Sequence, residues 1–144
     1  MMARAEDTLI STFLPALAAL VFLVVMIGAA AAWGDAARDV GPKEAQALIR
    51  ENAGKRDFVV LDVRTPGEFA QGHLEGAVLV DYRSPGFREE VAGLDKTKTY
   101  LVYCRTGNRS ASALGIMGEF GFHRYYHLGG GIVRWLEEGL PAVR

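Results

Sequence analysis

The sequence predicts an α/β fold with a mainly parallel central sheet flanked by helices on both faces, preceded by an N-terminal hydrophobic helix. Two observations lead to this prediction. No charged side chain occurs between Thr8 and Gly34, and after that stretch short β-branched runs alternate with helical segments. Alternating strands and helices favour parallel pairing, because each helix carries the chain back to the same end of the sheet. The 144 residues are enough for one domain with its own core.

Residues 1–33 predict a signal peptide or transmembrane anchor. An uncharged helix of about 20 residues can cross a bilayer. The length favours a retained anchor, whereas the alanines from Ala29 to Ala32 also fit the exit of a cleaved signal. Both interpretations place the following domain outside the cytoplasm, either held at the cell membrane or released to the periplasm. The few Lys and Arg residues near the two ends do not decide the orientation.

Residues 34–39 are predicted to be a polar linker, and residues 40–144 the folded domain. Pro42 follows Gly41 and suits the first turn of a helix. Short apolar, β-branched runs are typical of buried strands, and apolar residues at near-helical spacing indicate helices. Helical segments are expected over residues 42–50, 66–70, 87–90, 110–120 and 132–138, and strands over 57–62, 77–80, 99–103 and 124–128.

Composition excludes several classes of function. The net charge is −1 and no basic field is present, so the chain lacks the pattern that nucleic-acid binding requires. A single cysteine rules out an internal disulfide and a cysteine cluster for structural zinc. Nothing in the sequence calls for a metal or an organic cofactor.

Cys104 lies at the end of a predicted strand. Arg109 follows five residues later and leads into the next predicted helix. Sites in parallel sheets form beyond the carboxyl ends of the strands. Gly107 allows the loop to turn, so that successive backbone amides and the helix N-terminus converge on an anion. These donors, with Arg105, favour thiolate over thiol. Cys104 is therefore the predicted nucleophile, and the predicted binding residues are Arg105, Thr106, Gly107, Asn108, Arg109 and Ser110.

A lone cysteine is more often a small buried hydrophobe than a nucleophile. Two cations within five residues of Cys104 argue against that alternative. The supporting residues are expected to be structural: Asp62 and Arg64 brace the loop through hydrogen bonds or an ion pair with Glu68. We expect His73 to be a turn histidine bonded to backbone, His123 and His127 to lie outside any ligand set, and Trp135 to lie in the core.

The cysteine loop resembles the active-site loop of the rhodanese family, in which four residues separate a cysteine from an arginine. Three further segments resemble that family's motifs, and the resemblance covers about residues 40–141. They are Leu61–Arg64 with Glu68–Phe69, Gly72–Ala77, and Gly129–Gly131 followed by Trp135. Two features depart from the family: Glu75 stands where proline is usual, and the segment after Ala77 lacks a polar residue often found there.

The resemblance implies a sulfurtransferase. Cys104 would take a sulfane sulfur from thiosulfate or a persulfide donor, and would pass it to a thiol, a protein or cyanide. With no second cysteine, the persulfide must be discharged to another molecule. An alternative is a membrane-anchored binding or sulfur-carrier module without efficient turnover. Cysteine phosphatase chemistry is disfavoured, because that loop needs five residues between cysteine and arginine, whereas four separate Cys104 from Arg109.

Overall fold

A computed structural model describes residues 37–144 of the chain, so the predicted signal or anchor, residues 1–33, lies outside the described residues. Helices and strands alternate throughout the described part. In chain order they are β1 (Arg38–Val40), α1 (Pro42–Glu51), β2 (Phe58–Asp62), α2 (Pro66–Gln71), β3 (Val78–Leu79), α3 (Phe87–Ala92), β4 (Thr99–Tyr103), α4 (Asn108–Glu119), β5 (Tyr125–Leu128) and α5 (Gly131–Glu137).

The strands form one sheet in the order β1-β5-β4-β2-β3, and every neighbouring pair is parallel. The parallel central sheet predicted from the sequence is thus confirmed. The last two residues of the predicted linker, residues 34–39, belong to a strand, because β1 begins at Arg38 and pairs with β5. This strand has three residues, of which only Val40 is buried, so it has no alternating pattern for sequence analysis to detect.

Helices cover both faces of the sheet, as predicted. Alternate residues of β4 point to opposite faces, since side chains in a strand have a period of two. Val102 packs with α3 and α4 in one buried cluster, while Leu101 packs with α1 and α5 in the other. Burial on both faces explains why β4 is buried without alternation from Tyr100 to Tyr103.

This arrangement brings the carboxyl ends of β2, β4 and β5 to one edge of the sheet, close to the start of α4 and α5. Asp62, Tyr103 and Leu128 are the last residues of those three strands. Cys104 follows Tyr103 directly, so the cysteine loop lies at the edge where ligands bind in parallel sheets. Between residues 37 and 144, no helix has both the length and the apolar character needed to cross a membrane.

Candidate active site

The Cys104 sulfur lies in a pocket of hydrogen-bond donors formed by its own loop. The residue is buried, with 1% of its surface exposed. The Gly107 amide donates to Sγ at 3.0 Å and the Ser110 hydroxyl lies 3.3 Å from it. Burial raises the pKa of the Cys104 thiol, but the Ser110 hydroxyl and the amides of Ser110, Gly107 and Thr106 outweigh burial and leave that pKa below its ordinary value. The loop therefore shifts the equilibrium of Cys104 toward thiolate, and its use as a nucleophile stays a prediction.

Gly107 is the residue at which the loop turns into α4. Its φ is +109°, in the region that glycine tolerates and a side chain does not. This conformation aims the Gly107 amide at the sulfur while the Gly107 carbonyl accepts from the Ala111 amide at 3.0 Å. One residue thus both starts the helix and supplies a donor to the thiolate.

Helix α5 anchors the other side of the cysteine loop. The amides of Ile132 and Val133 donate to the carbonyl oxygens of Cys104 and Arg105 at 3.0 and 3.1 Å. Gly131, at the start of this helix, has a φ of +60°, and a Cβ there would lie 2.4 Å from the Arg105 oxygen and 2.5 Å from the Cys104 oxygen. Only glycine allows the two backbones to approach so closely. The glycine run therefore has a structural purpose beside the site.

Arg109 is held by Glu68 in a two-pronged ion pair. Its Nη1 and Nη2 donate to the two Glu68 carboxylate oxygens at 2.8 and 2.7 Å. Glu68 also accepts from the Thr65 amide in a capping box at the start of α2. The hydrogen bond with Arg109, aided by those to Thr65, lowers the pKa of Glu68 to about 2. Glu68 thus braces the active loop, and binding of a sulfur donor by Arg109 stays a prediction.

Asp62 and Arg64 form a buried hydrogen-bonded network at the end of β2. Arg64 Nη2 donates to Asp62 at 2.6 Å and to the Gly72 carbonyl at 2.8 Å. The Tyr103 hydroxyl donates to Asp62 at 2.6 Å and accepts from the Leu74 amide at 3.1 Å. Burial, followed by the Asp62 charge, raises the pKa of Tyr103. The pair was expected to reach Glu68, but it instead ties the end of β2 to the end of β4.

Arg105, Thr106 and Asn108 project from the exposed rim of the loop. Arg105 also lines a groove of about 540 Å³ with Arg64, Arg144 and the exposed side chain of Leu136. Glu75, the departure from the usual proline, is exposed and is not among the residues lining this groove. The acidic side chain therefore does not oppose the arginines there.

Two histidines differ in their relation to the site. His73 Nδ1 lies 3.0 Å from the Phe69 carbonyl oxygen, the backbone contact expected of it. His127 was expected to lie outside any ligand set, and the structure adds that its Nε2 lies 2.8 Å from Ser110 Oγ and its Nδ1 lies 2.7 Å from Asp39 Oδ1. Sequence analysis missed this contact because it depends on β5 being the neighbour of both β1 and β4. Trp135 is buried in the core, as predicted.

The site thus belongs to the class in which a buried cysteine at the end of a parallel strand accepts hydrogen bonds from the loop that follows it. Residues 42–138 match the model of the Rhodanese-like domain, and this match covers more than half of the chain. The chain therefore belongs to the rhodanese-like family, and sulfur transfer is its family-level function.

Named relatives agree with this assignment. A sulfurtransferase of Allochromatium vinosum is 32% identical over 100 residues, which are 69% of this chain and 92% of that protein. Thiosulfate sulfurtransferase 16 of Arabidopsis thaliana, a chloroplast protein, is 36% identical over 57% of this chain and 77% of its own. The crystal structure of a rhodanese-related protein from Thermoplasma volcanium is 33% identical, covers 74% of this chain and 97% of its own, and has a TM-score of 0.60. Other curated relatives are longer, and the chain spans 22% to 55% of their length.

Proposed function

We propose that this protein is a thiosulfate sulfurtransferase-like enzyme that carries sulfane sulfur as a Cys104 persulfide. In the first half-reaction the Cys104 thiolate attacks the outer sulfur of thiosulfate. A new S–S bond forms to Sγ, the sulfur–sulfur bond of thiosulfate breaks, and its electron pair leaves with sulfite. In the second, an acceptor thiolate or cyanide attacks the outer sulfur of the persulfide, and Cys104 leaves as thiolate.

The hydrogen bonds to Sγ are the observation that supports this proposal most directly. The Gly107 amide and the Ser110 hydroxyl stabilise the thiolate before attack, and they stabilise it again as the leaving group. Arg105 follows Cys104 in the chain and is exposed, so it offers a positive charge to a dianionic donor. Neither half-reaction needs a proton, a metal or an organic cofactor.

Mass spectrometry of the intact protein tests the first half-reaction. After incubation with thiosulfate and removal of the excess, we expect one added sulfur on the wild-type protein and none on Cys104→Ser. Cyanide should then remove that sulfur and yield thiocyanate in equal amount. An unchanged mass under oxygen-free conditions would refute the proposal.

The same experiment separates an enzyme from a sulfur carrier. Continuous thiocyanate production in the presence of both substrates indicates turnover. One equivalent of thiocyanate followed by none indicates the alternative role, a membrane-anchored module that loads sulfur without efficient turnover. Release of phosphate from an aryl phosphate would favour phosphatase chemistry, which the four-residue spacing between Cys104 and Arg109 argues against.

We further propose that residues 1–33 attach the protein to the cell membrane, with the rhodanese-like domain on the periplasmic side. The uncharged stretch between Thr8 and Gly34 supports this proposal. N-terminal sequencing of protein from the membrane fraction tests it, and a mature start near Trp33 would rule out a retained anchor. Protection of the domain from protease in intact spheroplasts would contradict the orientation.

A further inference from the structure

Three contacts connect the Cys104 sulfur to the surface. Ser110 Oγ lies 3.3 Å from Sγ, His127 Nε2 lies 2.8 Å from the same oxygen, and Asp39 Oδ1 lies 2.7 Å from His127 Nδ1. Asp39 and His127 face each other in the register of β1 and β5. Ser110 is fully buried and 13% of the His127 side chain is exposed, whereas Asp39 is on the surface.

The Ser110 hydroxyl has one hydrogen and more than one acceptor within reach. These acceptors are Cys104 Sγ, the Gly107 carbonyl oxygen at 3.0 Å, and His127 Nε2 whenever that nitrogen carries no proton. Only one of them receives the hydrogen at a time. The protonation of His127 therefore decides whether the histidine competes with the thiolate for it.

Asp39 determines which nitrogen of neutral His127 carries the proton. A carboxylate accepts only, so the proton stays on Nδ1 and Nε2 presents a lone pair to Ser110. In that form the Ser110 hydrogen points to His127 and away from Cys104. When His127 is protonated, Nε2 donates to Ser110 Oγ and no longer accepts the Ser110 hydrogen. That hydrogen then goes to the charged thiolate, because the thiolate attracts it more strongly than the neutral Gly107 carbonyl does.

We propose that His127 and Asp39 are positioning residues that direct the Ser110 hydroxyl to Cys104 when His127 is protonated and withdraw it when His127 is neutral. The protonated form holds a stabilised, less nucleophilic thiolate. The neutral form leaves a thiolate with one hydrogen bond fewer, which is the stronger nucleophile. This inference rests on the proposed use of Cys104 as the nucleophile.

Three arginines on the surrounding elements are engaged with carboxylates other than Asp39. Arg38 on β1 pairs with Glu44 of α1 at 2.7 Å, and Arg134 of α5 pairs with Glu138 at 3.2 Å. On α4, Arg109 is bound by Glu68. Arg105 is exposed on the loop. Among the described residues, Asp39 contacts the His127 ring directly and Cys104 is connected to it through Ser110.

Alkylation of the full chain by iodoacetamide tests the proposal, because Cys104 is the only cysteine and no other thiol contributes to the rate. We expect two steps with pH in the wild type: a first in the fraction of Cys104 present as thiolate, read from its ultraviolet absorbance, and a second in the alkylation rate per thiolate, as His127 loses its proton. In the second step the alkylation rate should increase about threefold to tenfold. The thiolate loses one hydrogen bond and becomes more basic, and its nucleophilicity rises with its basicity.

Three variants should abolish the second step for different reasons. His127→Phe removes the titrating group and Ser110→Ala removes the connecting hydroxyl. Asp39→Ala lets the neutral imidazole carry its proton on Nε2, so that Ser110 continues to donate to Cys104. Asp39 is on the surface, so this variant stays informative if the other two fail to fold. A second step of wild-type size in folded Ser110→Ala or Asp39→Ala overturns the inference, as does a wild-type profile with one step.

Two control variants match these changes. His123→Gln removes an imidazole near the opposite end of β5, and Glu44→Gln removes one negative charge from α1, beside β1. Both should keep two steps. The imidazole nitrogen signals in ¹⁵N NMR give an independent readout: neutral His127 should carry its proton on Nδ1 in the wild type and on Nε2 in Asp39→Ala. A wild-type proton on Nε2 overturns the inference.

The outcomes separate this inference from the proposed function, because alkylation needs no sulfur donor. Persulfide formation together with a one-step alkylation profile would refute the role of His127 alone. A two-step profile without persulfide formation would support that role and refute sulfur transfer from thiosulfate.

Discussion

Replacing Glu68 by glutamine measures how strongly the active loop is braced by its ion pair with Arg109. In the wild type both carboxylate oxygens accept from the guanidinium, at 2.7 and 2.8 Å. The glutamine keeps the shape and one acceptor oxygen but loses the charge. Because the pair connects α2 to the first turn of α4, the change weakens both the domain and the position of the cysteine loop.

The magnitude follows from the pKa of Glu68. A decrease from the usual 4.5 to about 2 corresponds to about 3 kcal/mol of folding free energy. Water screens the pair, since 27% of the Glu68 side chain and 16% of the Arg109 side chain are exposed. We therefore expect a loss of about 1.5 kcal/mol for Glu68→Gln at pH 7.

The cost of Glu68→Gln should depend on pH in a defined direction. The folded-state pKa of Glu68 is lowered, so the ion pair stabilises fully above the unfolded value near 4.5 and is lost as the pH falls through about 2. At pH 3 the difference in the free energy of unfolding between variant and wild type should be less than about half of its value at pH 7.

Urea unfolding of the full chain at pH 7 and at pH 3, followed by circular dichroism, measures both quantities. Glu119→Gln is the matched control, because it removes an ion pair with Arg88 whose side chains are 60% and 53% exposed. Exposed pairs contribute little, so we expect a change of less than about 0.5 kcal/mol. Equal losses for the two variants, or a Glu68→Gln loss that does not shrink at pH 3, would refute the reasoning.

Three further changes test other parts of the site. Tyr103→Phe leaves the buried Leu74 amide and Asp62 without the hydroxyl, and should cost about 1–3 kcal/mol in the same urea assay. Gly131→Ala forces the loop backbone away from α5 and should reduce the rate of persulfide formation at least about tenfold. Gly139→Ala also replaces a glycine of positive φ and is the control for backbone strain alone. Arg105→Gln should raise the KM for thiosulfate several-fold, and a difference that persists unchanged in high salt would exclude steering by charge.

The cysteine loop could be predicted from the sequence because its geometry is local. A buried strand, a glycine and a helix start follow one another within a few residues, so Cys104 and its donors come from a single segment. The main helices and strands were predicted for a similar reason, since their patterns are contained within each element. The observed bounds of the helices differ from the predicted ones by one or two residues, because capping rather than the hydrophobic pattern determines where a helix ends.

The features that escaped prediction depend on pairing between distant segments. His127 and Asp39 are 88 residues apart and meet only because β5 lies between β1 and β4. The glycine run was recognised as a motif, but the reason for Gly131 is a backbone contact with Cys104 and Arg105 that no local pattern encodes. Likewise Glu68 was expected to act with Asp62 and Arg64, whereas the fold places it on Arg109.

The depth of Cys104 bears on which sulfur an acceptor attacks. In a persulfide the outer sulfur lies about 2 Å beyond Sγ, whereas Sγ itself belongs to a residue that is 1% exposed. Attack on the outer sulfur transfers it and returns Cys104 as the thiolate that Gly107 and Ser110 stabilise. Attack on Sγ would instead form a mixed disulfide and expel hydrosulfide, and the chain has no second cysteine to resolve it. Under the proposed function, burial of Sγ would direct acceptors to the outer sulfur, and a lone cysteine would be sufficient for a complete transfer cycle.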